Sequence, residues 1–229
     1  MDFRGFGGYN VKIPPTVFVN ESSAKTAWAK LIIKILNGGC PVTTEYGVNA
    51  LDVCGTVVIG VRGIKELLNI DAHKQDPFGK QRIIEYMREY RRDEIDSFND
   101  FDYTYLQLLT TPVDQLKLMR DALANDDSHS KRIQAITVRD VEEFWSMSAK
   151  PCLQRIWIRK LNDSDAEVHL SWRSRDAFSA FTPNLCTIMR MLKDEVLKPN
   201  GLSCVKLVDM SDSYHIYEHD IKEASKVRL

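Results

Sequence analysis

Residues 152–173, CLQRIWIRKLNDSDAEVHLSWR, decide the fold. Two runs of strand-forming side chains, 152–161 and 167–173, flank the polar segment Asn162-Asp163-Ser164-Asp165, which predicts a β-hairpin. On the N-terminal side, residues 133–138 (Ile-Gln-Ala-Ile-Thr-Val) read as a further strand. Thr111-Pro112-Val113-Asp114 reads as a helix start ahead of Leu116, Leu118, Met119 and Leu123. Threonine supplies a cap, proline suits the first turn, and the acid complements the helix dipole. Asn125-Asp126-Asp127-Ser128 ends that helix. Residues 79–98 mix charge and apolar positions at helical spacing, 51–61 form a β-branched strand, and 22–37 a helix stopped by Gly38-Gly39. On the C-terminal side come a helix over 184–197, closed by Pro199-Asn200-Gly201, and a strand over 203–209 before a polar tail. Strands and helices mix without βαβ alternation, so the expectation is an α+β protein on a mostly antiparallel sheet covered by helices. No repeat or linker divides the chain, and residues 1–229 are read as a single domain.

The bulk properties exclude more than they select. With 31 basic and 32 acidic side chains in 229 residues, the chain lacks the basic excess of a nucleic-acid or membrane-surface binder. A composition that is 44% hydrophobic is enough for a real core. Cys40, Cys54, Cys152, Cys186 and Cys204 are scattered, with neither a CxxC pair nor metal-ligand spacing, so no metal and no disulfide framework are expected. No apolar run approaches the roughly 20 residues that span a bilayer. The N-terminus is not a secretory signal, and the expected address is a reducing, cytoplasmic compartment.

Four clusters carry candidate chemistry. Cys152 stands at a strand entrance between Pro151 and Leu153, where it is either a small buried hydrophobe or, with cations nearby, a nucleophile. Arg173-Ser174-Arg175-Asp176 follows the hairpin. Alternation along a strand sends Arg173 and Arg175 to opposite faces, and the group reads either as solvated charge or as a phosphate site using Arg173 and Ser174. His129-Ser130-Lys131-Arg132 marks a turn. His215 and Tyr217 lie two apart, so an extended chain points both toward one hydroxyl. Each cluster alone has a commoner structural explanation; their order and spacing do not.

A Lys-Arg pair before a strand, then Pro-Cys, Arg-Ser-x-Asp, a Pro-Asn helix entrance and His-x-Tyr together resemble the thymidylate synthase family over roughly residues 112–219. The chain looks like its short, divergent, archaeal-type branch. The resemblance implies a thymidylate synthase-like fold, a homodimer through the sheet with shared active sites, a pyrimidine nucleoside monophosphate substrate, and 5,10-methylenetetrahydrofolate as co-substrate. It implies that Cys152 attacks carbon 6 of the pyrimidine, and that Arg173 and Ser174 bind the phosphate while Arg173 favours the thiolate. Lys131 and Arg132 would reach the neighbouring subunit's phosphate. Asp176 would meet the pterin, Asn184 would pair with the pyrimidine edge, and His215 and Tyr217 would hold the sugar 3′-hydroxyl. Glu66 would organise water, and Tyr105 would serve removal of the carbon 5 proton. An asparagine at 184 favours uracil over cytosine, because its amide both donates and accepts. The implied activity is reductive methylation of dUMP to dTMP. The alternatives are hydroxymethylation of dUMP, dCMP or CMP, with water capturing the methylene, and an inert nucleotide-binding relative. Leu153 stands where typical members carry histidine, Lys131 replaces an arginine, and no tryptophan lies between Trp28 and Trp145. Arg4, Arg62, Arg82 and Arg91 are the open choices for a further phosphate anchor.

Overall fold

The computed structural model describes residues 13–73, 79–88, 90, 103–127, 129–147 and 149–229. The first third runs β1 (Thr16–Glu21), α1 (Ala24–Gly38), β2 (Cys40–Thr43), β3 (Asn49–Gly60), α2 (Val61–Leu68) and α3 (Gly79–Arg88). Next come α4 (Tyr105–Thr110), α5 (Gln115–Ala124), β4 (Gln134–Ile136) and α6 (Val141–Ser146). The hairpin of β5 (Leu153–Lys160) and β6 (Asp165–Trp172) leads to β7 (Arg175–Asp176), α7 (Phe181–Leu192), β8 (Ser203–Tyr217) and α8 (Ile221–Ala224).

The strands form one sheet in the order β1-β3-β8-β6-β5-β4, with β2 beside β3 and β7 beside β8. The sheet is mixed and mostly antiparallel, compatible with the expectation. The β2–β3, β3–β8, β4–β5 and β5–β6 pairs are antiparallel, whereas β1–β3, β6–β8 and β7–β8 are parallel. Helices cover one face. Trp28, Leu31, Ile32 and Ile35 of α1 are buried, as their helical spacing requires, and pack with Val53, Val57 and Ile59 of β3 in a continuous core. Helix α7 is buried at every position except Arg190, and the buried Thr187 hydroxyl is bonded to the Pro183 and Asn184 carbonyls.

Several boundaries differ from the sequence reading, each for a local reason. Thr111 closes α4, and Asp114 caps α5 by accepting from the Lys117 amide at 2.9 Å. The 184–197 helix begins earlier, at Phe181, and widens into a π turn over Lys193–Leu197 before Gly201 ends it at φ +68°. The remainder of the 79–98 helix beyond Arg88, apart from Tyr90, lies outside the described residues, as do Arg4, Arg91 and Ser128. The largest correction concerns β8. The polar tail after residue 209 is not a tail but the second half of one strand, paired with β3 as far as Tyr217.

Two bulges explain how a polar half can continue a core strand. Val53 pairs with Tyr214 and Gly55 with Ser211, so Asp212 and Ser213 together oppose Cys54. Before the bulge the odd residues Leu207 and Asp209 are fully buried; after it the even residues Tyr214 and Ile216 are. The parity change turns His215 and Tyr217 away from the core. On β5, Leu153 pairs with Trp172 and Arg155 with Ser171, leaving Gln154 extra just after Cys152. Bulges of this kind re-aim side chains beside binding sites.

Candidate active site

Between the β2–β3 turn, the two bulges and the start of α7 lies a cavity of about 780 Å³, the size of a small-molecule site. Of the sequence-derived candidates, Cys152, Arg173, Ser174, Asp176, Asn184, His215, Tyr217 and Tyr105 all line it. Lys131 and Arg132 do not; both are exposed on the turn before β4, and the Lys131 carbonyl accepts from the Trp157 indole. Glu66 lies elsewhere. Its carboxylate accepts from the Ser23 hydroxyl and the Ala24 amide, each at 2.9 Å, so it secures the start of α1. Arg62 pairs with Glu66 and Arg82 lies over Tyr86, and neither lines the cavity.

Arg173 clamps the segment that carries the thiol. Its Nε donates to the Pro151 carbonyl at 3.1 Å, its Nη2 to the Lys150 carbonyl at 2.7 Å, and its amide to the Cys152 carbonyl at 2.9 Å. From the other side, the Tyr105 hydroxyl accepts from the Leu153 amide at 3.2 Å. Burial pushes the Cys152 thiol above its ordinary value, Arg173 and Arg175 pull it back, and Glu45 adds to the rise. The cations act in the expected direction, yet burial outweighs them. Burial also drives the Tyr105 phenol well above its ordinary value, with the neighbouring Cys152 adding to the rise.

Asp176 is held in a tight turn, accepting from the amides of Phe178 and Ser179, each at 2.9 Å, and from the Ser179 hydroxyl. Asn184 is buried in the first turn of α7. Beside Asp176 across the β7–β8 pairing, His215 packs edge-on against Tyr217, with ring centroids 4.7 Å apart. Burial lowers the His215 pKa against the pull of Asp176 and Asp52. Burial also raises the Tyr217 hydroxyl to about 12, helped by Asp176 and Cys152.

Sequence reasoning missed five groups. Glu45 and Tyr46 form the rim from the β2–β3 turn, where Gly47 adopts φ +73°. The run Thr44-Glu45-Tyr46-Gly47 between two strand-forming segments is a hairpin signal that could have revealed them. Asp52 and Ser213 meet through a 2.7 Å hydrogen bond across β3 and β8, a pairing no local pattern announces. Arg175 was read as solvated charge, but it is buried. Its Nε lies 3.1 Å from a fully buried Asp209 carboxylate, and its guanidinium stacks 3.8 Å above the Trp172 ring. The Trp172 indole and Tyr214 hydroxyl donate to the same carboxylate at 2.9 and 2.6 Å.

Fold and cavity together define a thiol-centred pocket flanked by fixed cations and hydrogen-bonding groups, suited to a small polar anion. No family model matches the chain. Curated relatives do. A Methanococcoides burtonii protein called "Putative thymidylate synthase" is 28% identical over 215 residues, covering 91% of this chain and 93% of that one. Proteins of the same name from Methanothermobacter thermautotrophicus and Methanothermobacter marburgensis are each 27% identical, over 225 and 213 residues, covering 93% and 87% of this chain and 97% and 92% of theirs. These three archaeal relatives support a thymidylate synthase-like family for the chain, as the motif series indicated. Among the described residues no helix is long and apolar enough to cross a membrane.

Proposed function

We propose that the protein is a thymidylate synthase, converting dUMP and 5,10-methylenetetrahydrofolate to dTMP and dihydrofolate. One observation carries the reading: eight residues drawn from five separate parts of the chain, Tyr105, Cys152, Arg173, Ser174, Asp176, Asn184, His215 and Tyr217, line a single cavity.

In this reading the sulfur of Cys152 adds to carbon 6 of the uracil ring, and folate supplies the one-carbon unit and the hydride. Arg173 and Ser174 hold the nucleotide phosphate. The arriving dianion requires Arg173 to share its donors between the phosphate and the carbonyls of Lys150 and Pro151. Asn184 pairs with the uracil edge. The Tyr105 hydroxyl, one hydrogen bond from the Cys152–Leu153 backbone, serves proton removal at carbon 5. Asp176 faces the pterin, and His215 and Tyr217 hold the 3′-hydroxyl. Glu45, whose charge acts on Cys152, is the pocket acid that takes the place expected of Glu66.

The reading includes a homodimer formed through the uncovered sheet face. Paired strands set Phe18, Thr56, Met210, Ser171 and Arg155 in one cross-strand row there, and Phe18 is 61% exposed. Lys131 and Arg132 then have a partner site to reach.

Hydroxymethylation is the second reading. The rim residue Tyr46 is 68% exposed, and a rim that seals poorly admits the water that would capture the methylene. The test is incubation with methylenetetrahydrofolate and either dUMP or dCMP, followed by mass spectrometry. Methylated dUMP with dihydrofolate supports the synthase. A hydroxymethylated product with tetrahydrofolate replaces it with the second reading, and absence of turnover from a folded dimer leaves an inert nucleotide binder.

A further inference from the structure

His215 sits in the pocket with one ring nitrogen unpaired among the described residues. Its Nε2 is enclosed and finds no hydrogen bond among the described residues, while its Nδ1 lies 3.4 Å from the Ser213 hydroxyl. That hydroxyl lies 2.7 Å from Oδ2 of Asp52. Asp52 and His215 are direct cross-strand partners on β3 and β8, so the three side chains are neighbours by register. The second carboxylate oxygen, Oδ1, is also enclosed and unpaired among the described residues.

Proton counting fixes the orientation. An ionised carboxylate only accepts, so the single Ser213 proton points to Asp52. The Ser213 oxygen then has only lone pairs to offer His215, and Nδ1 must carry the imidazole proton. The backbone does not compete for that proton. Ser211 Oγ donates to the Ser213 carbonyl at 2.8 Å, and the Ser213 amide points to Ser211 Oγ at 3.3 Å. Burial favours neutral His215, so the ring has one proton to place.

We propose that Asp52 and Ser213 are positioning residues that hold His215 as the Nδ1–H tautomer, leaving Nε2 as a bare acceptor for a ligand hydroxyl that donates. The ligand chemistry rests on the nucleotide reading above: the donor is a sugar hydroxyl. A histidine that merely filled space would have no need of this relay, and the opposite tautomer would instead donate to the sugar.

Two measurements keep the inference and the nucleotide reading apart. Long-range ¹⁵N–¹H correlation on ¹⁵N-histidine protein at pH 8, with His215 assigned through His215→Gln, reads the tautomer directly. The expected result is Nδ1–H in the parent protein, and loss of that preference in Ser213→Ala and Asp52→Ala. An Nε2–H tautomer in the parent protein, or an unchanged one in both variants, overturns the assignment. Titration with dUMP and with its 3′-deoxy analogue then tests the ligand. The analogue should bind roughly three- to tenfold more weakly. That penalty should shrink toward unity in either variant, with KM moving more than kcat. Equal affinities in the parent protein overturn the claim that Nε2 takes the sugar hydroxyl. If neither nucleotide binds but the tautomer is as assigned, the nucleotide reading falls and the relay stands.

Discussion

Replacing Arg175 with methionine removes the cation from beside a carboxylate that has no exposure at all. Methionine roughly matches the arginine stem, so the wall against Trp172 and Phe181 stays filled and the charge is the main loss. Asp209 retains the Trp172 and Tyr214 donors at 2.9 and 2.6 Å. Breaking a buried ion pair by removing one partner costs about 3–5 kcal/mol, and the two surviving donors place this case near 3 kcal/mol. The pH dependence has a definite sign. Burial already holds the Asp209 carboxyl above its ordinary value, with Arg175 foremost among the groups opposing it. Without Arg175 the folded-state pKa rises further above the unfolded one, so the folded state binds the proton more tightly. The destabilisation is therefore largest at high pH and shrinks as pH falls through the raised folded value. Urea unfolding at pH 8 and pH 5.5, for the parent and Arg175→Met, measures both effects. Arg175→Met with Asp209→Leu should recover only part of the loss: no lone charge is then buried, but the Trp172 indole loses its acceptor, while the Tyr214 hydroxyl keeps the residue 209 carbonyl. A loss below about 1 kcal/mol, equal at the two pH values, would refute the assignment of Arg175 as the counter-charge of Asp209.

Other substitutions probe separate joints of the structure. Because the Cys152 pKa is raised, alkylation of its peptide in the ligand-free protein should still be climbing above the pH at which an ordinary thiol levels off; Arg173→Gln, removing a charge that lowers it, should move the curve higher still. A curve that moved to lower pH would contradict the geometry. Glu66→Ala should cost about 0.5–2 kcal/mol in thermal or urea unfolding through the lost start of α1, yet leave nucleotide affinity intact. A large fall in affinity with unchanged stability would return Glu66 to the pocket. Gly63→Ala would set a Cβ 2.4 Å from Ile59 Cγ2 and 2.6 Å from the Ala24 amide nitrogen. Since one of those atoms is backbone, about 1–3 kcal/mol of overpacking should appear in the urea midpoint.

What the sequence disclosed followed the reach of its signals. The hairpin around Asn162–Asp165 and helix α1 are written in local periodicity, and both formed within two residues of their expected bounds. The second half of β8 was lost because residues 210–217 face three environments in turn, the outer sheet face, the core and the pocket, and so show no single period. Arg175 was misread for a related reason. Its charge is countered by Asp209, a residue brought near by the parallel β7–β8 and β6–β8 pairings. The motif residues of the pocket were legible from the family resemblance, whereas the meeting of Asp52 with Ser213 needed the strand register.

The bulge opposite Cys54 separates two properties that usually travel together. Deleting one residue from 211–213 would let β8 zip against β3 in unbroken pairing, and a reader of circular dichroism or melting curves would find a folded sheet. The same deletion would swap which side of the strand every later residue occupies, burying His215 and Tyr217 and turning Tyr214 and Ile216 outward. Relatives can thus be sorted by residue spacing before any assay: those that keep two residues facing one at this point keep the means of presenting His215, and those with regular pairing have kept the architecture and surrendered the pocket.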